Sequence, residues 1–491
     1  MNDPSATNAP RLIVGPFNRV EGDLEVRLTL RDGQVADAQV VAPMYRGFEN
    51  LLTGRAPQDA LVIVPRICGI CSVSQSVAAA RALADAAGVT PPPNGRLATE
   101  LMLATENLAD HLSHFYLFFM PDFAREAYAH APWFGAVQQR FAAGTGDGAR
   151  AALAARQRWF QIVGTLGGKW PHTHSITAGG STRAVDASER LRLLALVREF
   201  RAFLERQTFG APLEAVAALD SEAALQAWQA EAAPGEAAGG DLHLFLTVAA
   251  STGLDRLGRG PGRTLAYASA TAPAGVFDEA TGTLAPPDLS RITEDTHHAW
   301  LADAGQGARH PTAGLTRPDA HKPDAYSWNK APRLAGAPCE TGAIARRLAA
   351  GHPLVRDAVA RCGATVYTRV LARLLELALV VPQMERWLGE LQPREPFCHD
   401  APLPDAAEGV GLAEAARGAL GHWLRVERGR IAQYQIVAPT SWNFSPRDAT
   451  GQPGPLESAL VGTPVAADER TPVAVQHVVR SFDPCMVCTV H

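Results

Sequence analysis

Cysteine is scarce in this sequence, and its scarcity argues against a disulfide-stabilised protein. Seven cysteines are spread over 491 residues, an odd number without the spacing of a disulfide framework. The sequence therefore predicts a reducing compartment. Four of the seven form two Cys-x-x-Cys pairs, whereas Cys339, Cys362 and Cys398 stand alone and are interpreted as ordinary packed thiols.

Long apolar runs and a strong excess of one charge are also lacking. No stretch of 18 uncharged apolar residues occurs, so no membrane-spanning helix is expected. Residues 1–10 lack the basic and apolar regions of a signal peptide, and we expect them to form a flexible N-terminus. The net charge of −5 argues against nucleic acid or a membrane surface as the main partner. Together these absences predict a cytoplasmic protein.

The composition and the residue patterns predict an α+β fold that is mostly α. With 47% hydrophobic and 19% charged residues, the chain can bury a large core. Alternating residues predict a hairpin over residues 24–41 around an Asp-Gly turn, and residues 11–15 a further strand. The composition never shifts sharply along the chain. Residues 11–491 are therefore expected to form a single domain, with a large helical bundle core and small peripheral β-sheets.

Apolar residues at three- and four-residue spacing predict several long helices. They are expected from Cys71 to Ala87, around residues 97–115, over residues 187–207 and around residues 371–379, where Pro382 should break or kink the helix. Asp186 and Glu189 have the spacing of a capping box before the third of them. Residues 242–248 and 274–284 are interpreted as strands, and residues 231–240 as a surface loop.

The two Cys-x-x-Cys pairs stand at opposite ends of the chain. Cys68 and Cys71 form one, and Cys485 and Cys488 form the other, more than 400 residues later. Two such pairs can complete a four-sulfur site for a transition metal, although a redox dithiol and structural zinc are alternatives. Structural zinc usually closes a short loop, with pairs about 15–20 residues apart. A catalytic metal held between the N- and C-terminal segments is therefore the favoured interpretation.

Further motifs accompany the cysteine pairs in a fixed order. They are Arg-Val-Glu-Gly-Asp at 19–23, Met-Tyr-Arg-Gly-Phe-Glu at 44–49, Asp-His-Leu-Ser-His-Phe-Tyr at 110–116, Lys-Ala-Pro-Arg at 330–333 and Pro-Thr-Ser-Trp-Asn at 439–443. With these blocks, the chain resembles the large subunit of nickel–iron hydrogenases from residue 19 to residue 491.

The resemblance implies a nickel–iron centre whose iron carries carbon monoxide and two cyanides. All four cysteines would bind nickel, and Cys71 and Cys488 would also bridge to iron. Soft thiolates suit a nickel that changes oxidation state. Heterolytic cleavage of dihydrogen needs a Lewis acid and a base within bonding reach, and the sulfur of Cys485 would be that base.

The resemblance also implies roles for residues around the metals. Glu21 would carry the proton away from Cys485, and Arg333 would lie above the open side of the metals, oriented by Asp110. The remaining implied positions are Pro332, Pro439 and Thr440 beside the iron, Gln75 where most members have histidine, and Glu49 and His491 as ligands of a magnesium or iron ion.

At some positions this sequence differs from most family members and resembles the hydrogen-sensing subgroup. Gln75 is one, and the large Ile70 and Phe118 at the end of the implied gas channel predict oxygen tolerance. The chain also ends at His491, whereas most members are made with an extension there. We therefore expect a hydrogen sensor that signals to a histidine kinase.

Two alternatives to the sensor remain. One is the large subunit of an energy-conserving uptake hydrogenase, and the other is a zinc-stabilised structural subunit of a quinone-reductase-like complex. In either kind of hydrogenase, electrons would leave through a small subunit with iron–sulfur clusters in a heterodimer, since this chain has no cysteine pattern left for clusters.

Overall fold

The computed structural model describes residues 11–231, 239–303 and 307–489. The N-terminal segment 1–10, His491 and most of the surface loop expected at 231–240 lie outside these ranges. Within them the protein is mostly helical, with small sheets at its periphery, as the sequence predicted.

Groups of consecutive helices and groups of consecutive strands follow one another along the described chain. The α-helices are α1 Phe48–Leu52, α2 Ala60–Ile63, α3 Ser72–Ala87, α4 Pro93–Ser113, α5 Phe134–Phe141, α6 Asp147–Trp159, α7 Gln161–Gly167, α8 Ala187–Phe203, α9 Leu213–Ala217, α10 Glu222–Glu231, α11 Gly240–Thr252, α12 Ala343–Ala349, α13 Pro353–Cys362, α14 Val366–Glu390, α15 Pro439–Asn443, α16 Pro455–Leu460 and α17 Val473–Ser481. The strands are β1 Arg11–Val14, β2 Glu25–Arg31, β3 Gln34–Val41, β4 Ile176–Thr177, β5 Gly180–Ser181, β6 Arg263–Ala266, β7 Gly275–Asp278, β8 Thr283–Ala285, β9 Ile292–Asp295, β10 Ala331–Leu334, β11 Ala407–Ala415, β12 Gly418–Glu427 and β13 Arg430–Val437.

The strands form small antiparallel sheets of two or three neighbours. The orders are β1-β2-β3, β4-β5, β6-β7-β8, β9-β10 and β11-β12-β13. The predicted N-terminal hairpin is confirmed, since β2 and β3 pair on either side of Asp32 and Gly33, which both have positive φ. Local turn chemistry was enough to predict this element.

Local signals also predicted several helix ends. α3 ends at Gly88, which adopts the left-handed conformation that glycine tolerates best. α8 begins with the expected capping box, in which Glu189 N donates to Asp186 Oδ1 at 2.8 Å and Asp186 N donates to Glu189 Oε2 at 3.0 Å. Pro382 does not end its helix, because α14 continues through it to Glu390.

The strand predicted at residues 242–248 is wrong, because these residues lie in α11. The apolar run resembles a buried strand, but its buried side chains follow helical spacing: Asp241, Leu242, Phe245, Leu246, Val248 and Ala249. A short apolar run does not distinguish a buried strand from a buried helix by its pattern alone. By contrast, the strands expected over residues 274–284 are present as β7 and β8.

A hydrophobic core extends along the chain from Val14 to Cys488 and includes both cysteine pairs. α14 packs against α4, α8, α9 and α12. The C-terminal cysteines are therefore part of the core and not of a peripheral tail. The single domain over residues 11–491 stays a prediction. None of the helices in the described ranges has the length and apolar character needed to cross a bilayer.

The contact between α3 and β11 is too close for side chains at two strand positions. A Cβ atom on Gly411 would lie 1.9 Å from the Ala78 carbonyl oxygen, and one on Gly409 would lie 2.1 Å from that of Ala82. Because α3 begins immediately after Cys71, this contact fixes the helix that carries one of the metal-binding candidates.

We expect Gly411→Ala to destabilise the protein by about 1–3 kcal/mol, because the added methyl group has no space. Urea unfolding followed by circular dichroism would measure the loss. Gly135→Ala is the matched control, since nothing lies within 4 Å of a Cβ atom there. Equal stability of the two variants would contradict the close packing of α3 on β11.

Candidate metal centre

The four paired cysteines come together in one buried cluster. Their sulfur atoms all lie within 4.8 Å of one another, and the residues are at most 8% exposed. The Sγ atoms of Cys68 and Cys485 are 3.4 Å apart, and those of Cys485 and Cys488 are 3.0 Å apart. In the part of the chain that the structure describes, no other group of three or more cysteine, histidine or acidic side chains has such spacing. The predicted meeting of the two chain ends is thus confirmed.

Main-chain hydrogen bonds join the N-terminal motif to the C-terminal pair. Glu21 N donates to Pro484 O at 3.3 Å, and Met486 N donates to Glu21 O at 2.7 Å, so that Glu21 flanks Cys485. At Gly22, where φ is +78°, a Cβ atom would lie 3.0 Å from Val487 N. The Glu-Gly sequence therefore permits a backbone approach that a larger residue would prevent.

Arg46 connects the two cysteine pairs from a third segment. Its Nη1 atom donates to the carbonyl oxygen of Val487 at 3.0 Å and also to that of Ile67. These two residues immediately precede Cys488 and Cys68 in the sequence. A single guanidinium thus fixes the backbone on both sides of the cluster.

The sulfur atoms compete for protons because they are buried and close together. Hydrogen bonding with Cys485 and Cys488 lowers the pKa of Cys68 well below its ordinary value. Hydrogen bonding with the same two residues raises the pKa of Cys71, and hydrogen bonding with Cys488 and Cys68 raises that of Cys485. Metal ions bind thiolates and displace such protons. The donor set therefore fits a divalent cation of the nickel or zinc type.

The charge of the cluster affects the pKa of the Glu21 carboxyl group. Burial, followed by the negative charge of Cys68, raises the pKa of its carboxyl group, whereas Arg417 and Arg46 lower it. A raised pKa makes the carboxyl group a better proton acceptor than an exposed glutamate. The structure brings Glu21 to the cluster as expected, while its role in proton transfer stays a prediction.

The arginine that pairs with Asp110 is Arg417. Its Nη2 atom lies 3.0 Å from Asp110 Oδ1 and 3.1 Å from Asp483 Oδ1, and all three side chains are buried. Burial by itself lowers the pKa of Arg417, but the charges of Asp110, Asp483 and Cys485 raise it well above its ordinary value. A guanidinium charge thus lies beside the sulfur cluster.

Sequence reasoning missed Arg417 and assigned its place to Arg333. The predicted pair of Arg333 and Asp110 is wrong, because Arg333 Nε donates to Asp448 Oδ2 at 2.8 Å and its Nη2 to Gln452 O at 2.8 Å. The available signal was an arginine at the turn between β11 and β12, in a run of small apolar residues where a buried charge needs a partner.

The residues predicted beside the iron lie on two elements. Pro332 is in β10, opposite Glu294 of β9. Pro439 and Thr440 open α15, which contacts the C-terminal turn Met486–Thr489 that carries Cys488. Their contacts with an iron and its ligands stay predictions.

Gln75 lies one helical turn after Cys71 and is buried. Its Oε1 atom is 2.9 Å from Nε2 of His422, whose Nδ1 atom is 2.8 Å from the hydroxyl of Tyr434. Burial lowers the pKa of His422 to about 3, so the imidazole is neutral at ordinary pH. Gln75 therefore connects α3 to the β11-β12-β13 sheet.

Ile70 and Phe118 are both half-buried. Ile70 N lies 3.3 Å from the sulfur of Cys68, and Phe118 is in the π-helical extension of α4, His114–Phe119. Their control of gas access stays a prediction.

Glu49 lies in a buried polar group of its own. Ile436 N donates to its Oε1 atom at 2.8 Å, and Lys330 Nζ lies 3.3 Å from its Oε2 atom. Thr316 is a further partner. Because His491 is outside the described residues, the metal site predicted for Glu49 and His491 stays a prediction.

The chain is similar over nearly its whole length to known hydrogenase subunits. The family model described as nickel-dependent hydrogenase matches residues 46–130 and 150–491. The periplasmic NiFeSe hydrogenase large subunit of Desulfomicrobium baculatum is 31% identical, and the alignment covers 99% of this chain and 96% of that protein. The quinone-reactive Ni/Fe-hydrogenase large chain of Wolinella succinogenes is 27% identical, and the alignment covers 98% of this chain and 95% of that protein. A solved structure of H2-activated Dm. baculatum NiFeSe hydrogenase, 30% identical, matches with a TM-score of 0.84 over 99% of this chain and 100% of that chain.

We expect Arg46→Ala to weaken nickel(II) binding by the four cysteines about 10–100-fold, because the backbone before Cys68 and Cys488 loses its shared donor. Competition with a coloured chelator would measure the affinity. Arg66→Ala is the control, since Arg66 is exposed and donates to Val62 O, four residues earlier in its own segment. Wild-type affinity in Arg46→Ala would contradict this role.

Proposed function

Because the chain belongs to the nickel-dependent hydrogenase family, we propose that it is the active-site subunit of a nickel–iron hydrogenase that oxidises dihydrogen. The observation that carries the proposal is the buried cluster of Cys68, Cys71, Cys485 and Cys488. A purely structural zinc subunit is disfavoured, because the family match includes both cysteine pairs.

The cluster suits nickel in its chemistry as well as in its spacing. All four donors are thiols, and their mutual effects on pKa leave protons for a cation to displace. All four cysteines would bind nickel. Cys68 and Cys485 would bind no other metal, whereas Cys71 and Cys488 would also bind iron with its carbon monoxide and cyanide ligands. When bound, this centre would supply a Lewis acid and an electron acceptor for the cleavage of dihydrogen. Since all four positions are cysteine, we propose nickel and iron without selenium.

The protein would then manage the protons. Cys485 would accept a proton from dihydrogen, and Glu21 would take it towards the surface. Support comes from the backbone hydrogen bonds of Glu21 on either side of Cys485 and from its raised pKa. The Arg417 guanidinium, held by Asp110 and Asp483, would keep a fixed positive charge beside the sulfur atoms.

The two electrons from each dihydrogen need a path out of this subunit. The remaining cysteines, Cys339, Cys362 and Cys398, form no further cluster among the residues that the structure describes. We propose that electrons pass to a small subunit with iron–sulfur clusters, as the names of the relatives, large subunit and large chain, suggest.

The uptake role is now the better supported of the two hydrogenase roles. The relatives reported above are named as hydrogenases, one of them quinone-reactive, and none of these names mentions a sensor. The hydrogen-sensing role, the histidine kinase and oxygen tolerance rest on Gln75, Ile70 and Phe118 and stay predictions. The cytoplasmic location also stays a prediction, since the D. baculatum relative is named a periplasmic protein.

Infrared spectroscopy with metal analysis tests the proposed function. The protein, purified with its small subunit, should contain nickel and iron and show carbonyl and cyanide stretching bands. Cys485→Ala should lose both nickel and the ability to exchange dihydrogen with solvent deuterons, whereas Cys398→Ala, outside the cluster, should keep both. Zinc as the sole metal in the wild-type protein would contradict the proposal.

We expect Glu21→Gln to slow the exchange of dihydrogen with solvent deuterons about 100-fold or more with unchanged metal content, because the amide cannot carry the proton. Exchange measured by mass spectrometry in heavy water gives the rate. Glu25→Gln is the control in the same segment, since the Glu25 carboxylate pairs with Arg27 at 2.7 Å. Exchange at the wild-type rate in Glu21→Gln would remove Glu21 from the proton path.

A further inference from the structure

α3 begins without a cap from its own N-terminal residue. Cys71 occupies the N-cap position, and its side chain makes no capping hydrogen bond. Its sulfur atom lies instead 3.1 Å from that of Cys488, inside the cluster. A serine, threonine, aspartate or asparagine at this position would normally accept a hydrogen bond from the second or third residue of the helix. The first N–H groups of α3 therefore need another acceptor.

Glu106 of α4 supplies that acceptor. Its Oε2 atom accepts from Val73 N at 2.8 Å, and its Oε1 atom accepts from Ser74 N at 2.9 Å and from the Ser74 hydroxyl at 2.9 Å. Val73 and Ser74 are the second and third residues of α3. The carboxylate is thus bonded to the two amides that an N-cap side chain would serve, although it comes from a different helix.

The same carboxylate fixes a second segment beside the cysteine pair. Trp170 Nε1 donates to Glu106 Oε2 at 3.1 Å, and His172 N donates to the Ser72 hydroxyl at 3.2 Å. Pro171, between them, lies over the loop, with its Cγ atom 3.8 Å from a Cβ atom built on Gly69. Glu106 therefore restrains both the helix after Cys71 and the segment above the Cys68–Cys71 loop.

The position of Glu106 depends on these donors. The residue is 2% exposed, and burial raises the pKa of its carboxyl group to about 7. The groups that oppose this rise are the donors of Val73, Ser74 and Trp170. A carboxylate at a helix N-terminus is also favoured by the helix dipole. The carboxylate and the start of α3 thus stabilise each other.

We propose that Glu106 is a positioning residue for the first cysteine pair: it caps α3 in place of Cys71 and so leaves the Cys71 sulfur free to bind the metals. The identity of those metals rests on the proposed function, whereas the cap does not. An N-cap side chain at position 71 would satisfy the helix but could not at the same time be a ligand.

Amide hydrogen exchange of the full chain tests the cap. In Glu106→Ala, the amides of Val73 and Ser74 should exchange about tenfold faster, as expected for the loss of a helix cap. Glu106→Gln keeps one carbonyl acceptor and should show a smaller change. Glu100→Ala is the control on the same helix, since Glu100 pairs with Arg81 in the second half of α3 and not with the amides at its start. Unchanged exchange in Glu106→Ala would overturn the proposal.

Infrared spectroscopy of the metal-loaded protein tests the effect on the sulfur. A displaced Cys71 should shift or split the carbonyl and cyanide bands in Glu106→Ala, and Glu106→Gln should restore them towards the wild-type positions. A loss of stability alone would reduce the amount of loaded protein without moving the bands. Unshifted bands in a Glu106→Ala protein with a frayed α3 would overturn the link between cap and ligand.

The two proposals fail in different ways. Absence of carbonyl and cyanide bands from the wild-type protein would contradict the proposed function and leave the amide exchange result intact. The sulfur position would then be read from the thiolate absorption of nickel(II) added to the chain. This absorption should move in Glu106→Ala and stay in Glu100→Ala, and an unmoved absorption in Glu106→Ala would overturn the proposal.

Discussion

Four cysteine side chains are held within 4.8 Å of one another in an apolar core, where several thiolates together would be unfavourable without a cation. The contacts that bring them together come from distant segments of the chain. The backbone bonds of Glu21 align one end of the chain with the other, and Arg46 fixes the carbonyl groups before Cys68 and Cys488. These contacts restrain the backbone and leave the sulfur atoms themselves for a metal. A metal can thus be recognised by a preformed donor set.

Buried charges near the cluster are balanced in separate groups. Arg417 lies between Asp110 and Asp483, whereas Arg333 is held by Asp448 and by the chain after α15. An isolated buried charge would be costly, so each guanidinium occupies a site that was built with its own carboxylate. Of these two groups, the one around Arg417 lies beside the sulfur atoms, and this makes it an electrostatic neighbour of the proposed chemistry.

The demands of metal binding and of helix formation conflict at Cys71. As a ligand, its side chain points into the cluster, and as an N-cap residue it would have to turn back to α3. Glu106 resolves the conflict from a neighbouring helix. α3 is in turn held on β11 by the close approach of Gly411 to Ala78, so the position of one ligand depends on contacts at the start and in the middle of its helix.

Elements whose causes are local could be predicted from the amino-acid pattern. The hairpin around Asp32 and Gly33, the end of α3 at Gly88 and the capping box of α8 all follow from residues a few positions apart, and the cysteine motifs identified the family. Folding was needed to establish that Asp110 pairs with Arg417, that Glu106 caps α3 and that residues 242–248 are helical. Charged side chains of one sign are equivalent as partners until folding brings one of them near, and an apolar run takes its conformation from the surface that buries it.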